Sequence, residues 1–410
     1  MKKPRHSNYG GAHQTSATEV MARTATMLVG TALGQGAFLV TSLMYLKRDS
    51  GFIGNIGTAY GIIVSTQILI DWGGTTSQRQ LGNLFSPSSI AKRFIFFRMP
   101  IGMLAAVLLA FAAIAGWLTP TASEFILYAL PTIVASTCNL TGLLDIVDKR
   151  AAHTIGHGLP VAALSIYLLS SDAPTAGSAG IAYSSGYCML LVYQFVRVAK
   201  CKGAFEHLPS LNISSGKILA EGVLILGATL PGQIATRMAA ILLLSIEQPT
   251  LAAIYNTVKQ GQGLLTQVVT LIRRAEYGRA LSVLERAKSQ TTPMIAKSQQ
   301  FSLGTGGVLA LVYGIAVAVL ARHDEDLYLL GIAASTQTFV WLLTSSYFFH
   351  FQLMRRNSVQ AMYGIIHLAF FATVIFLFSP NTPSLLILAE VLCSLGAVYL
   401  AHRYLGASKP

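Results

Sequence analysis

Three charged side chains stand inside apolar runs of the second half of the chain: Arg237 in 217–245, Lys259 in 250–272 and Glu390 in 383–404. Measured from the run ends that share one side, all three lie about 10–14 Å deep at about 1.5 Å per helical residue. A charge near the middle of a bilayer costs at least about 2.5–3.5 kcal/mol, so it faces a partner or a wet cavity. Two chemistries follow. Arg237 and Lys259 attract a phosphate-bearing group, the arginine through its planar fork of parallel donors. Alternatively, Arg237 and Glu390 pair and lock the helices.

The run around Lys259 carries a polar stripe. Asn256, Gln260, Gly263 and Gln267 fall at helical spacing, with Lys259, Gln262 and Thr266 alongside. Such amides bind sugar hydroxyls from a wet face or join helices to one another. Gln35 takes a similar place in the first run, beside Gly30 and Gly34, which permit close helix approach. Asp71 belongs to a face with Gln67, Gly74 and Gln78, near one end of its run. With Arg79 as partner, it reads as a gate or cap at a water-filled mouth. Asp145 and Glu221 are weaker candidates of that kind. His153 and His157 have the i, i+4 spacing of a metal pair, but no third ligand is near, so no metal is expected. Pro100, Pro131, Pro160 and Pro231 are expected to bend their helices.

The elements that position these residues follow from composition. The chain of 410 residues is 53% hydrophobic and only 11% charged, against about 25% charged in soluble domains. Twelve runs are long enough to span a bilayer: 24–46, 55–78, 95–117, 124–146, 151–170, 177–196, 217–245, 250–272, 299–321, 327–351, 360–379 and 383–404. The predicted class is an all-α integral membrane protein with two six-helix bundles around a central cavity. Alternate loops and ends hold 24 of the Lys and Arg residues, and the other loops hold three. By the positive-inside rule both termini are cytoplasmic. This placement in short loops also excludes nucleic acid as the reason for the net charge of +13. The expected organisation is a tail 1–23, a first bundle 24–196, a linker 197–216, a second bundle 217–404 and a tail 405–410. The longest connections are 197–216 and 273–298. Four cysteines are scattered without a CxxC. No GxxxxGK[ST] stretch is present, so no nucleotide is expected, and no cofactor.

The first two runs read Gly34-Gln35-Gly36, then Lys47-Arg48-Asp49-Ser50-Gly51-Phe52-Ile53-Gly54, an apolar helix, Asp71-Trp72-Gly73 and Arg79. Arg237, an apolar run, a short turn and Ala253-Ile254-Tyr255 with Lys259 follow in the second half. This pattern resembles the Wzx-type polysaccharide (O-antigen) flippases of the multidrug/oligosaccharidyl-lipid/polysaccharide superfamily. Ala253 departs from it, since glycine is usual two residues before the tyrosine. The resemblance implies a bacterial inner-membrane exporter that moves an undecaprenyl-pyrophosphate-linked oligosaccharide to the periplasmic leaflet. It implies membrane lipids as surroundings, and polysaccharide polymerase and chain-length proteins as partners. Asn256, Gln260, Gln267 and Gln35 would meet the sugar, Arg237 and Lys259 the pyrophosphate. Asp71, Arg79 and Glu390 would gate or couple.

Two other classes remain open. A multidrug/cation antiporter of the same superfamily usually has an acidic residue early in its first half, often in span one, and span one has none. A membrane polymerase or ligase needs a large outer loop, and the outer loops here are a few residues long. The chain therefore reads as a transporter and not an enzyme.

Overall fold

The computed structural model describes residues 17–81, 85–147, 152–201, 209–210, 215–286, 291–320, 325–353, 357–378 and 383–407. Regular structure among the described residues is entirely helical. The first apolar run becomes α1 (Ala17–Thr31), a π segment (Ala32–Gly36) and α2 (Ala37–Arg48). The π segment absorbs a residue that regular α-helix cannot, and it places Gln35 half-buried. Next, α3 (Ser50–Asp71) starts where the Asp49 carboxylate accepts from the Phe52 N–H at 2.9 Å, a side-chain cap for an otherwise unpaired donor.

The second run departs from the single helix expected over 55–78. Trp72 and Gly73 both take positive φ, 48° and 67°, and α4 (Gly74–Leu81) starts anew. Gln67 and Asp71 therefore do not share a continuous helical face with Gly74 and Gln78. Both α5 (Pro87–Ile114) and α6 (Pro120–Ser136) begin on proline, where the missing N–H had no helical partner to lose. The chain continues with α7 (Thr141–Val147), a 3-10 turn (Ala152–Gly158), α8 (Leu159–Ser170) and α9 (Ala176–Cys201). The run expected as a helix over 151–170 is thus a turn and a short helix. Pro160 opens that helix and does not bend it.

The second half holds α10 (Ser215–Ser245), α11 (Pro249–Arg286), α12 (Thr291–Leu320), α13 (Glu325–Leu353), α14 (Asn357–Phe378) and α15 (Pro383–Ala407). Pro231 lies inside α10, which turns through 46° between Ile218–Gly232 and Arg237–Ser245. The connection expected over 273–298 is largely helical, because α11 runs to Arg286 and α12 begins at Thr291. The linker expected over 197–216 begins as the end of α9. Its residues 202–208 and 211–214, and the tails 1–16 and 408–410, lie outside the described residues.

Two apolar cores organise the helices. Phe38, Ile56, Ile63, Phe125, Ile133, Leu164 and Tyr183 build one. Ala239, Leu243, Tyr255, Leu330, Phe371 and Ile387 build the other. The outside is also apolar: Val107, Phe111, Ile166, Val312 and Phe376 are exposed. Continuous apolar surface of this kind is what a hydrocarbon surrounding demands. By length and composition alone, Thr24–Arg48, α3, α5 and Ser358–Leu377 are each sufficient to cross a bilayer, and α10 makes a fifth if its bent parts form one span. Reporter fusions at Ser123 and Lys202 are expected to report opposite compartments, with Lys202 cytoplasmic. Agreement between the two sites would refute the orientation drawn from the basic loops.

Between the halves, α3 packs on α10 and α11, and α1 and α2 also pack on α11. This seam carries the polar residues.

Candidate substrate site

Arg237 lies on α10 directly after its bend and reaches across the seam to α3. Its side chain covers Gly61: a Cβ there would come within 2.7 Å of Cδ and 2.8 Å of Nε. The absence of a side chain at 61 is what lets the guanidinium lie flat on α3. The Arg237 Nε is buried and has no hydrogen-bond partner. Tyr60, Tyr255 and Glu390 are the titratable groups close enough to act on it electrostatically. A buried donor without an acceptor costs about 1–3 kcal/mol, which an added acceptor would recover.

Glu390 does not pair with Arg237. Lys259 Nζ donates to Glu390 Oε2 at 2.7 Å and to Gln337 Oε1 at 3.0 Å. Gln337 Nε2 and the Tyr255 hydroxyl donate to the same carboxylate. The carboxylate of α15 is therefore fully occupied by α11 and α13, and its charge is balanced inside the second half. Arg237 keeps its positive charge for the seam.

The stripe on α11 faces the first half. Asn256 Nδ2 donates to Thr58 Oγ1 at 3.1 Å, and the Asn256 Oδ1 has no partner. Ser42 Oγ donates to Gln260 Oε1 at 3.1 Å. Farther along, the hydroxyls of Ser50 and Thr250 meet at 2.9 Å. Gln267 is half-buried on the same helix. Single polar contacts of this kind contribute about 0.6 kcal/mol each in a membrane, weak enough for the two faces to part.

Asp71 and Arg79 do not pair. Asp71 binds Arg98 and caps α4 through Thr75 N at 3.0 Å and Thr75 Oγ1 at 2.9 Å. Arg98 has no exposed surface; its Nη1 donates to the Asn139 carbonyl at 2.6 Å and its Nε to the Asp71 carbonyl at 3.2 Å. Arg79 instead donates to Asp145 Oδ2 at 2.6 Å, and His153 Nε2 lies 2.9 Å from Asp145 Oδ1. His157 Nε2 lies 3.3 Å from Thr141 Oγ1. Among the described residues no three His, Cys, Asp or Glu side chains gather as a metal site.

Three residues at or near this seam have contacts that the sequence pattern does not give. Arg98 counts there with a basic loop, although it stands inside an apolar run. Gly61 carries no signal of its own. Trp72, in left-handed conformation, lies against Gly222 of α10 and donates from Nε1 to the Leu219 carbonyl at 3.2 Å. It joins the two halves at the end opposite Ser50 and Thr250.

No protein-family model matches the chain, and no curated protein matches it. Solved structures do. The MATE multidrug transporter DinF-BH is similar with a TM-score of 0.65 at 13% identity, covering 96% of both chains. The eukaryotic MATE transporter AtDTX14 is similar with a TM-score of 0.62 at 11% identity, again over 96% of both.

The fold is that of the MATE transporters.

A MOP superfamily transporter from Pyrococcus furiosus Vc1 shares the MATE fold with a TM-score of 0.54 at 11% identity, covering 95% of this chain and 96% of that one. That protein is described as having a binding pocket of reverse polarity, which suggests a different function for it. The present chain is a multi-pass membrane protein with the MATE fold. Neither DinF-BH nor AtDTX14 is described as a Wzx-type flippase.

Proposed function

We propose that this chain is a secondary transporter whose cargo is an anionic amphiphile, and that the amphiphile is a lipid-linked oligosaccharide carrying a pyrophosphate. The observation that carries this reading is Arg237: a cation on the seam between the halves with an unpartnered buried Nε. The carboxylate near it is already balanced by Lys259. A cationic drug would meet a positive charge there, whereas a phosphate would complete the guanidinium's hydrogen bonds. Asn256 and Gln260 supply amides for sugar hydroxyls once the halves separate.

The second reading is drug or cation antiport. The solved neighbours DinF-BH and AtDTX14 favour it over the oligosaccharide reading, since both are MATE transporters and the first is a multidrug transporter. The two readings differ in the sign of the cargo and in the response to potential. Outward movement of two negative charges from a negative interior gains about 4.6 kcal/mol at 100 mV. In vesicles of defined orientation, flipping of a labelled undecaprenyl-pyrophosphate oligosaccharide is expected to accelerate when the cytoplasmic side is negative. It is expected to proceed without ATP. Transport of a cationic fluorescent dye under an ion gradient, with no flipping of the oligosaccharide, would establish antiport instead.

A further inference from the structure

Outside the seam, α6 and α8 both pack on α9. Gly180 brings α9 against the Phe125 carbonyl of α6, and Gly186 brings it against the Leu159 carbonyl of α8. Between these two ridges lies a groove of about 740 Å³, lined among others by Pro131, Leu159, Ser185, Cys188, Val192 and Val196. Its lining is strongly apolar, and Cys188, Met189 and Val192 are exposed.

From Ile181 to Val196 the groove follows α9 for about 22 Å, somewhat more than the thickness of one leaflet, about 15 Å. The face of Val192 and Val196 continues one turn later at Lys200, which is exposed. The basic-loop pattern puts this end of α9 in the cytoplasm, where the leaflet carries negative headgroups. An apolar channel of lipid-chain length that ends in a lysine at headgroup level matches one kind of molecule.

We infer that this groove is a binding site for an anionic phospholipid of the cytoplasmic leaflet, with an acyl chain lying along α9 between α6 and α8 and the phosphate at Lys200. A valley of this volume facing hydrocarbon cannot stay empty without losing dispersion contacts along its whole lining. The small floor residues Ser185 and Cys188 give the chain its depth. The lysine selects the headgroup. This site is separate from the cargo site and does not depend on what the cargo is.

The test uses the full chain, purified in detergent, depleted of lipid and titrated with dioleoyl phosphatidylglycerol or dioleoyl phosphatidylcholine while thermal unfolding is followed. Phosphatidylglycerol is expected to raise the midpoint saturably, by about 3 °C at a hundredfold excess over Kd. Its half-saturation is expected about fivefold lower than that of phosphatidylcholine. Lys200→Gln should abolish the difference between the lipids. Cys188→Phe should remove the shift for both, and Val192→Trp does the same from the other end of the groove should the first variant fail to fold. Equal half-saturation for the two lipids in the parent would overturn the inference, as would a full shift in the groove-filled variants. Native mass measurement adds a further overturning outcome: a parent dimer that Cys188→Phe separates would assign the groove to a second copy.

Discussion

Transport of the lipid-linked oligosaccharide is expected to fall about a hundredfold when Arg237 is replaced by alanine, with insertion into the membrane unchanged. Removal of a charge-assisted pair of hydrogen bonds to phosphate loses about 3 kcal/mol. Nothing else stands ready to replace them, because Lys259 is bound to Glu390 at 2.7 Å and to Gln337 at 3.0 Å. Arg237→Lys should recover part of the rate, as a point charge without the fork. Gly61→Ala tests the same site from the other half. Its Cβ would stand 2.7 Å from the Arg237 Cδ, so the guanidinium must leave its place, and a loss of about tenfold is expected. The assay is flipping in vesicles, with membrane-fraction abundance as the control. Parental rates in Arg237→Ala would remove this residue from the site.

Arg98→Met is expected to destabilise the protein by about 3–5 kcal/mol, the usual consequence of leaving a buried charge without its partner. Arg98 is completely enclosed and donates to Asp71 and to the Asn139 carbonyl at 2.6 Å. It thereby ties the end of α3 to the stretch before α7. Asp71 in turn caps α4 through Thr75. The double variant Arg98→Met with Asp71→Asn should recover much of the loss, since the charge that was left unpaired is gone. Thermal unfolding of the parent and the two purified variants decides it. A single variant as stable as the parent would mean that the Asp71 carboxylate is solvated well enough without Arg98.

The all-helical membrane class was readable because hydrocarbon imposes a simple requirement, long runs with little charge. The alternation of basic loops gives an expected order of the ends, which the fusions at Ser123 and Lys202 test. Of Arg237, Lys259 and Glu390, which the sequence expects at one level, Lys259 and Glu390 meet. Their partners were not readable. Depth says nothing about which helices are neighbours, and Glu390 goes to Lys259 because α11 and α15 face each other inside the second half. The break after Asp71 was hidden for a different reason. Two glycines in an apolar run fit a continuous helix, and only contacts with α10 and Arg98 hold Trp72 and Gly73 in left-handed backbone. Arg79 was matched with Asp71 by proximity in sequence, whereas the fold brings Asp145 to it from α7. Likewise, α11 is long past the bilayer because its last turns are amphipathic and charged, a composition that also suits a loop.

A membrane that holds a potential is a charged capacitor, and a protein with a polar seam is a weak point in its dielectric. Here the halves touch at both ends of that seam. Trp72 lies against Gly222 and Met27 packs with Leu271 at one end, and Ser50 meets Thr250 at the other. These contacts act as two insulating plugs in series, with the cation Arg237 between them. In the proposed transport cycle, opening either one lets the cargo site exchange with a single face while the other plug still bears the voltage, about 2.3 kcal/mol per charge at 100 mV. The weak hydrogen bonds along the seam then have an electrical meaning: each plug gives way easily to cargo, and conduction requires both to fail at once.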